Sequence, residues 1–160
     1  EMSASLVGSE MCIRDSAYRG LKEFMQPIAY GKGEMIYEEE NIALLAVGSM
    51  VSTGEHVRAK LKEEGVSCTL ANARFVKPFD KELVDRLAKN HRLIVTMEEN
   101  VQSGGFGEKV LDCLNDHEKR IKCVMAAIPD AYVEHGNVEL LKKEIGLDAE
   151  SITEKILERL

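Results

Sequence analysis

The sequence predicts a three-layer α/β domain, with a largely parallel sheet and helices on both faces. Three observations carry that expectation. Short runs that are almost wholly apolar recur along the chain, segments with helical spacing separate them, and glycine, proline or acidic turns mark the joints. An apolar run without alternation is what a strand covered on both faces looks like. Strands separated by helices of about 10–15 residues need crossover connections, which makes them parallel neighbours in a covered sheet.

Residues 33–37 (GEMIY) read as a short strand, followed by the acidic turn Glu38-Glu39-Glu40-Asn41. Residues 42–47 (IALLAV) form the first buried strand, broken by Gly48-Ser49. Met50, Gly54, Val57 and Leu61 then recur at helical spacing, and Gly65 stands where a helix ends in a left-handed residue. Residues 66–71 form the next strand. Pro78-Phe79-Asp80 opens a helix with Asp80 as its N-cap and Leu83, Val84 and Leu87 on its apolar face. Residues 93–97 (LIVTM) are a third strand of the same kind, and the glycines at 104–107 open a helix carrying Val110, Leu111 and Leu114. Residues 121–128 supply the last strand. Two helices close the chain, one over 138–145 and one from Asp148 onward with Ile152, Ile156, Leu157 and Leu160 on one face.

The chain has 160 residues, enough for one domain with a sizeable core. Residues 1–16 (EMSASLVGSEMCIRDS) share no periodicity with the rest and resemble a translated adapter artefact, so they are read as non-native or disordered and left out of the fold. Residues 17–40 are read as linker and edge strand, and 41–160 as the α/β domain. The net charge of −7 comes without a basic stripe, which argues against nucleic-acid binding. Residues 42–47 are too few to span a bilayer, so no membrane partner is expected. The four cysteines, Cys12, Cys68, Cys113 and Cys123, make no C-x-x-C pair, and no histidine is read as lying at a zinc-ligand spacing from them. Buried thiols in a reduced, cytoplasmic protein are the simplest account of them.

Chemistry is concentrated in the stretch EENVQSGGFG, residues 98–107. Glycines between a strand and a helix are the right setting for a phosphate, because a helix N-terminus offers free N–H groups and a positive dipole end. The spacing of Gly104, Gly105 and Gly107 fits neither G-x-G-x-x-G nor the P-loop, and Glu108 would repel a diphosphate. A structural corner is the better account. Glu98 and Glu99 are adjacent strand residues, so they face opposite sides of the sheet and cannot act together as acid and base. Either carboxylate could instead cap backbone donors or pair with a base such as Arg74. Arg74 and Lys77 follow a strand and could hold an anion, although surface ion pairing is commoner. His135 lies in a polar loop with no partner evident in sequence. His56, His91 and His117 read as surface or helix-end residues. No catalytic, cofactor or metal residue is assigned.

The segments NARFVKPFD (72–80), VTMEEN (95–100), GGFG (104–107), IPD (128–130), EHG (134–136) and GLDA (146–149) occur together and in order. In this respect residues 20–160 resemble the C-terminal domain of the 1-deoxy-D-xylulose-5-phosphate synthases, a transketolase C-terminal-like fold. The resemblance implies a transferase that condenses pyruvate with glyceraldehyde 3-phosphate, releasing carbon dioxide, with thiamine diphosphate and Mg2+. It implies that this chain is the last of three domains, inactive alone and binding no cofactor itself. The missing N-terminal and central domains and a homodimer partner would be its contacts. Glu98, Glu99, Gly104, Gly105, Gly107, Arg74 and His135 are the residues expected to serve that packing. The family's Y-P-R-G phosphate motif is not matched, because Tyr18-Arg19-Gly20 lacks the proline, and no role passes to Arg19. Two alternatives stay open: the closing domain of a transketolase or 2-oxo-acid dehydrogenase β subunit, and a free-standing module that binds a small anion.

Overall fold

The computed structural model describes residues 28–117 and 120–160. The readings of residues 1–16, of Arg19 and of Cys12 lie outside them. The chain divides at Tyr30, and every element below belongs to the unit Gly31–Leu160. The elements in order are β1 (Glu34–Tyr37), β2 (Asn41–Ala46), α1 (Met50–Glu63), β3 (Cys68–Asn72), α2 (Lys81–Asn90), β4 (His91–Val101), α3 (Phe106–Asn115), β5 (Lys122–Ile128), α4 (Val138–Glu144) and α5 (Ala149–Leu157).

The five strands stand in the order β1-β3-β2-β4-β5. β2 pairs in parallel with β3 and β4, and β4 with β5, while β1 runs antiparallel along the outer side of β3. The largely parallel sheet that the apolar runs predict is therefore present. Ile42 to Ala46 are wholly buried, as a central strand covered on both faces requires. Alternation divides the core in two. Ile42, Leu44, Leu70, Leu93, Val95 and Met97 meet Met50, Val57 and Leu61 of α1 and Ile152 and Ile156 of α5. On the other face Ala43, Leu45, Ala71 and Ile94 meet Val84 and Leu87 of α2 and Phe106, Val110 and Leu114 of α3. Burying each of the larger of these side chains is worth about 1.5–3 kcal/mol.

The helix boundaries follow local chemistry. Asp80 caps α2, its carboxylate accepting the N–H of Leu83 at 3.2 Å. Asp148 caps α5 through Glu150 and Ser151. Gly65, at φ +74°, ends the path of α1. Three leucines expected on apolar faces are exposed instead. Leu111 falls off the stripe that Phe106, Val110, Cys113 and Leu114 set on α3, Leu157 lies at the rim of α5, and Leu160 follows its end. β4 is longer than the run 93–97, because Glu98, Glu99 and Asn100 carry the strand on. Met97 pairs with Ala126 and Val101 with Ile128, so four steps of β4 face two of β5. Such a bulge re-aims the side chains within it.

Candidate functional site

From β2 the chain moves outward to β3 on one side, then returns to place β4 on the other side of β2. In open α/β sheets, the crevice at the carboxyl ends of two such strands is where ligands bind. Both acidic residues of the glycine segment come to this place, and they leave β4 in opposite directions.

Glu98 turns toward α3 and is 3% exposed. Its two carboxylate oxygens accept the backbone N–H groups of Phe106 and Gly107, each at 2.8 Å. These are free donors of the first turn of α3, the ones a bound phosphate would use. The positive end of the helix thus faces a carboxylate of its own chain, in charge-assisted hydrogen bonds. The glycines make this approach physically possible. A Cβ on Gly105 would lie 2.5 Å from the Val101 carbonyl and 2.7 and 2.9 Å from the Glu98 oxygens. A Cβ on Gly107 would lie 2.7 Å from Thr96 Oγ1 and 2.9 Å from Met125 Cγ. Gly104 takes φ +72°, and its N–H donates to the Glu108 carboxylate at 2.8 Å. The loop does not fit a diphosphate: the donors are taken, and two carboxylates line it.

Glu99 turns to the other face. The Ser49 hydroxyl donates to one of its oxygens and the Lys142 ammonium to the other. Ser49 is the N-cap of α1 but gives its side chain to Glu99 rather than to the helix. Lys142 first, and Ser49 after it, hold the Glu99 carboxyl below the ordinary glutamate value. One ionic link therefore ties the end of β4 to the start of α1 and to α4, across the crevice. Neither Ser49 nor Lys142 was singled out in the sequence. Ser49 could have been, since it follows the first buried strand directly. Lys142 is remote from Glu99 along the chain and carries no such signal.

Arg74 stands apart from both glutamates. It adopts φ +56° after β3, its N–H donates to Asn72 Oδ1 at 2.9 Å, and its guanidinium pairs with Glu34 of β1 at 2.5 Å. His135 is exposed in the loop before α4. The structure does not bring Arg74 or His135 to Glu98. His91 lies at the end of α2 but is buried, not at the surface, with Nδ1 2.8 Å from the Leu87 carbonyl and Nε2 2.8 Å from Thr69 Oγ1. Burial pushes the thiols of Cys68 and Cys123 up to about 11, away from the reactive thiolate form. Among the described residues, no helix is long and apolar enough to cross a membrane. Two open cavities, of about 930 and 590 Å3, lie at the opposite, amino ends of the strands. The smaller is lined by Glu38, Glu39 and Glu40 together with Asn41, Asn90, His91 and Arg92.

A family model described as transketolase, C-terminal domain, matches residues 31–152. The chain is 51% identical over 144 residues to the 1-deoxy-D-xylulose-5-phosphate synthase of Lachnoclostridium phytofermentans, covering 89% of this chain and 23% of that protein. It is 43% identical over 137 residues to the enzyme of the same name from Clostridium perfringens strain 13, covering 85% of this chain and 22% of that protein. The chain thus spans less than a quarter of the length of these curated relatives, at their C-terminal part. Among solved structures, a split-gene transketolase described as an inactive β4 tetramer matches with a TM-score of 0.76 and 24% identity. That match covers 83% of this chain and 43% of the other, and speaks for the fold alone. By sequence match and by fold, the chain belongs to the transketolase C-terminal domain family.

Proposed function

We propose that this chain is the C-terminal domain of a 1-deoxy-D-xylulose-5-phosphate synthase, and that it serves the enzyme by packing. In the intact homodimeric, cytoplasmic enzyme, pyruvate condenses with glyceraldehyde 3-phosphate and carbon dioxide is released. The product supplies isoprenoid, thiamine and pyridoxal synthesis. Thiamine diphosphate and Mg2+ are held by the upstream domains, and this chain alone is inactive.

The observation that carries this reading is the hold of Glu98 on the first turn of α3. The segment most like a phosphate site has its donors filled from within, at 2.8 Å each. A free-standing anion-binding module would need those same donors. What the chain offers instead is surface. α4 has no buried residue, and Tyr132, Val138 and Leu140 in and before it are 92, 61 and 68% exposed. A helix this short depends on packing for its stability, and Val138 and Leu140 leave most of their apolar surface in solvent. The occupant proposed is the upstream part of the same enzyme, which in the relatives makes up more than three quarters of the length.

The test pairs this chain with the upstream part of the Lachnoclostridium phytofermentans relative, expressed without the matched segment. The chain alone should give no heat with thiamine diphosphate in calorimetry and no consumption of pyruvate. The mixture should release carbon dioxide from pyruvate only when glyceraldehyde 3-phosphate is added. Turnover or cofactor binding by the chain alone would overturn the proposal.

A further inference from the structure

Asp85, Cys113 and His117 bring a carboxylate oxygen, a thiol sulfur and an imidazole nitrogen within 4.8 Å of one another. Cys113 and His117 are one helical turn apart. The N–H of His117 donates to the Leu114 carbonyl at 3.1 Å, in the turn that closes α3, and this turn keeps the His117 ring near the Cys113 thiol. Asp85 comes from α2, which lies beside α3 on the same face of the sheet. His117 Nε2 is 2.9 Å from Asp85 Oδ1, and Cys113 Sγ is 3.8 Å from the same oxygen.

Ligand atoms at about 2.0–2.3 Å around a tetrahedral ion stand roughly 3.3–3.7 Å apart, so small side-chain movements reach that geometry. The chemistry of the set is selective. One sulfur, one nitrogen and one oxygen suit a borderline ion, whereas Mg2+ and Ca2+ take oxygen ligands. Thiolate and carboxylate together would neutralise a divalent charge. The side chains of His117 and Asp85 are 19 and 34% exposed, which gives an ion and a water a way in. Cys113, 7% exposed, closes the inner side. The cluster lies on the outer rim of the α2–α3 layer, on other residues than the Glu98 and Glu99 contacts.

We propose that Asp85, Cys113 and His117 form a Zn2+ site, with water as the fourth ligand. On binding, Cys113 releases its thiol proton to solvent. His117 coordinates through Nε2 as a neutral imidazole, and its bond to Asp85 is exchanged for one metal bond from each side chain. The ion joins α2 to the end of α3, and because the three ligands meet only in the folded chain, it stabilises that chain by mass action.

The test is made on the full 160-residue chain under reducing conditions. Calorimetry with Zn2+ should give one ion per chain, with a raised melting temperature. Co2+ should bind at the same site and show a thiolate-to-metal charge-transfer absorption. Cys113→Ser should abolish that absorption. Asp85→Asn and His117→Gln should each weaken Zn2+ binding by more than the roughly 10–100-fold typical of losing an outer partner. Cys123→Ser, which leaves the triad intact, should change neither. Circular dichroism of the metal-free variants checks that each is folded, and Asp85→Asn, which keeps the buried thiol, serves if Cys113→Ser is not. Absence of the absorption in the parent chain, its survival in Cys113→Ser, or its loss in Cys123→Ser overturns the proposal.

Discussion

The carboxylate of Glu98 accepts the backbone N–H of Gly107 at 2.8 Å, so the anion that the first turn of α3 attracts belongs to the chain itself. A second bond of equal length goes to Phe106. Both bonds are buried, and removing the acceptor leaves two helix donors with neither protein nor water. Glu98→Ala should therefore cost about 2–4 kcal/mol, and Glu98→Gln, which keeps one acceptor oxygen, a smaller amount. Urea denaturation should show the midpoint falling at unchanged slope. A loss below about 0.5 kcal/mol for the alanine variant would mean that the contact contributes little.

Gly107 and Gly104 lie in one loop but need glycine for different reasons. At Gly107 a methyl group would meet Thr96 and Met125 below van der Waals distance, while at Gly104 it would point into open space on a left-handed backbone. Gly107→Ala should cost about 1–3 kcal/mol through overpacking, and Gly104→Ala about 1 kcal/mol through conformation. Thermal melts of the two variants decide the matter. If Gly104→Ala is the worse of the two, close packing of α3 on the sheet is not what the loop protects.

The strands were legible because Ile42 to Ala46 and Leu93 to Met97 are apolar without alternation, which only a covered strand tolerates. Asp80 and Asp148 announced their helices because capping is a local matter. The divergence of Glu98 from Glu99 follows from the two-residue period of a strand. Their partners do not follow from it. Glu98 meets the turn that comes next in the chain, but Glu99 meets Ser49 and Lys142, which crossover connections carry to it from far away. His91 stands at a helix end, as its sequence suggests, but a polar side chain there gives no sign that Thr69 and the Leu87 carbonyl will enclose it. Leu111 shows the same limit, since on α3 one residue's shift around the helix separates the buried stripe from solvent.

Lys142 and Ser49 hold the Glu99 carboxyl below its ordinary value, and this fixes the sign of a pH effect. A carboxyl with a lowered folded-state value favours the folded state above the unfolded value, 4.5, and loses that contribution as pH falls through the folded-state value. The stability difference between the parent chain and Lys142→Met should thus be present at neutral pH and shrink below about pH 4.5. Glu99 is partly exposed, so the effect is screened and should weaken with added salt. In a Glu99→Gln background the Lys142→Met difference should be small at every pH. A difference that persists unchanged at acid pH would assign the role of Lys142 to packing.

Tyr132 and Leu140 give the interface reading its sharpest consequence. Both side chains are largely in solvent, so Tyr132→Ser and Leu140→Ser should move the stability of this chain by no more than about 0.5 kcal/mol. If the upstream part of the enzyme covers them, the same substitutions should weaken its assembly with this chain by about tenfold or more, since a buried aromatic or leucine at the centre of an interface is worth on the order of 2 kcal/mol. Titrating each variant into the upstream part and following pyruvate consumption measures that loss directly. Parent-like titration curves for both variants would move the interface away from α4, and a large fall in the variants' own melting temperature would show that these side chains serve the isolated unit.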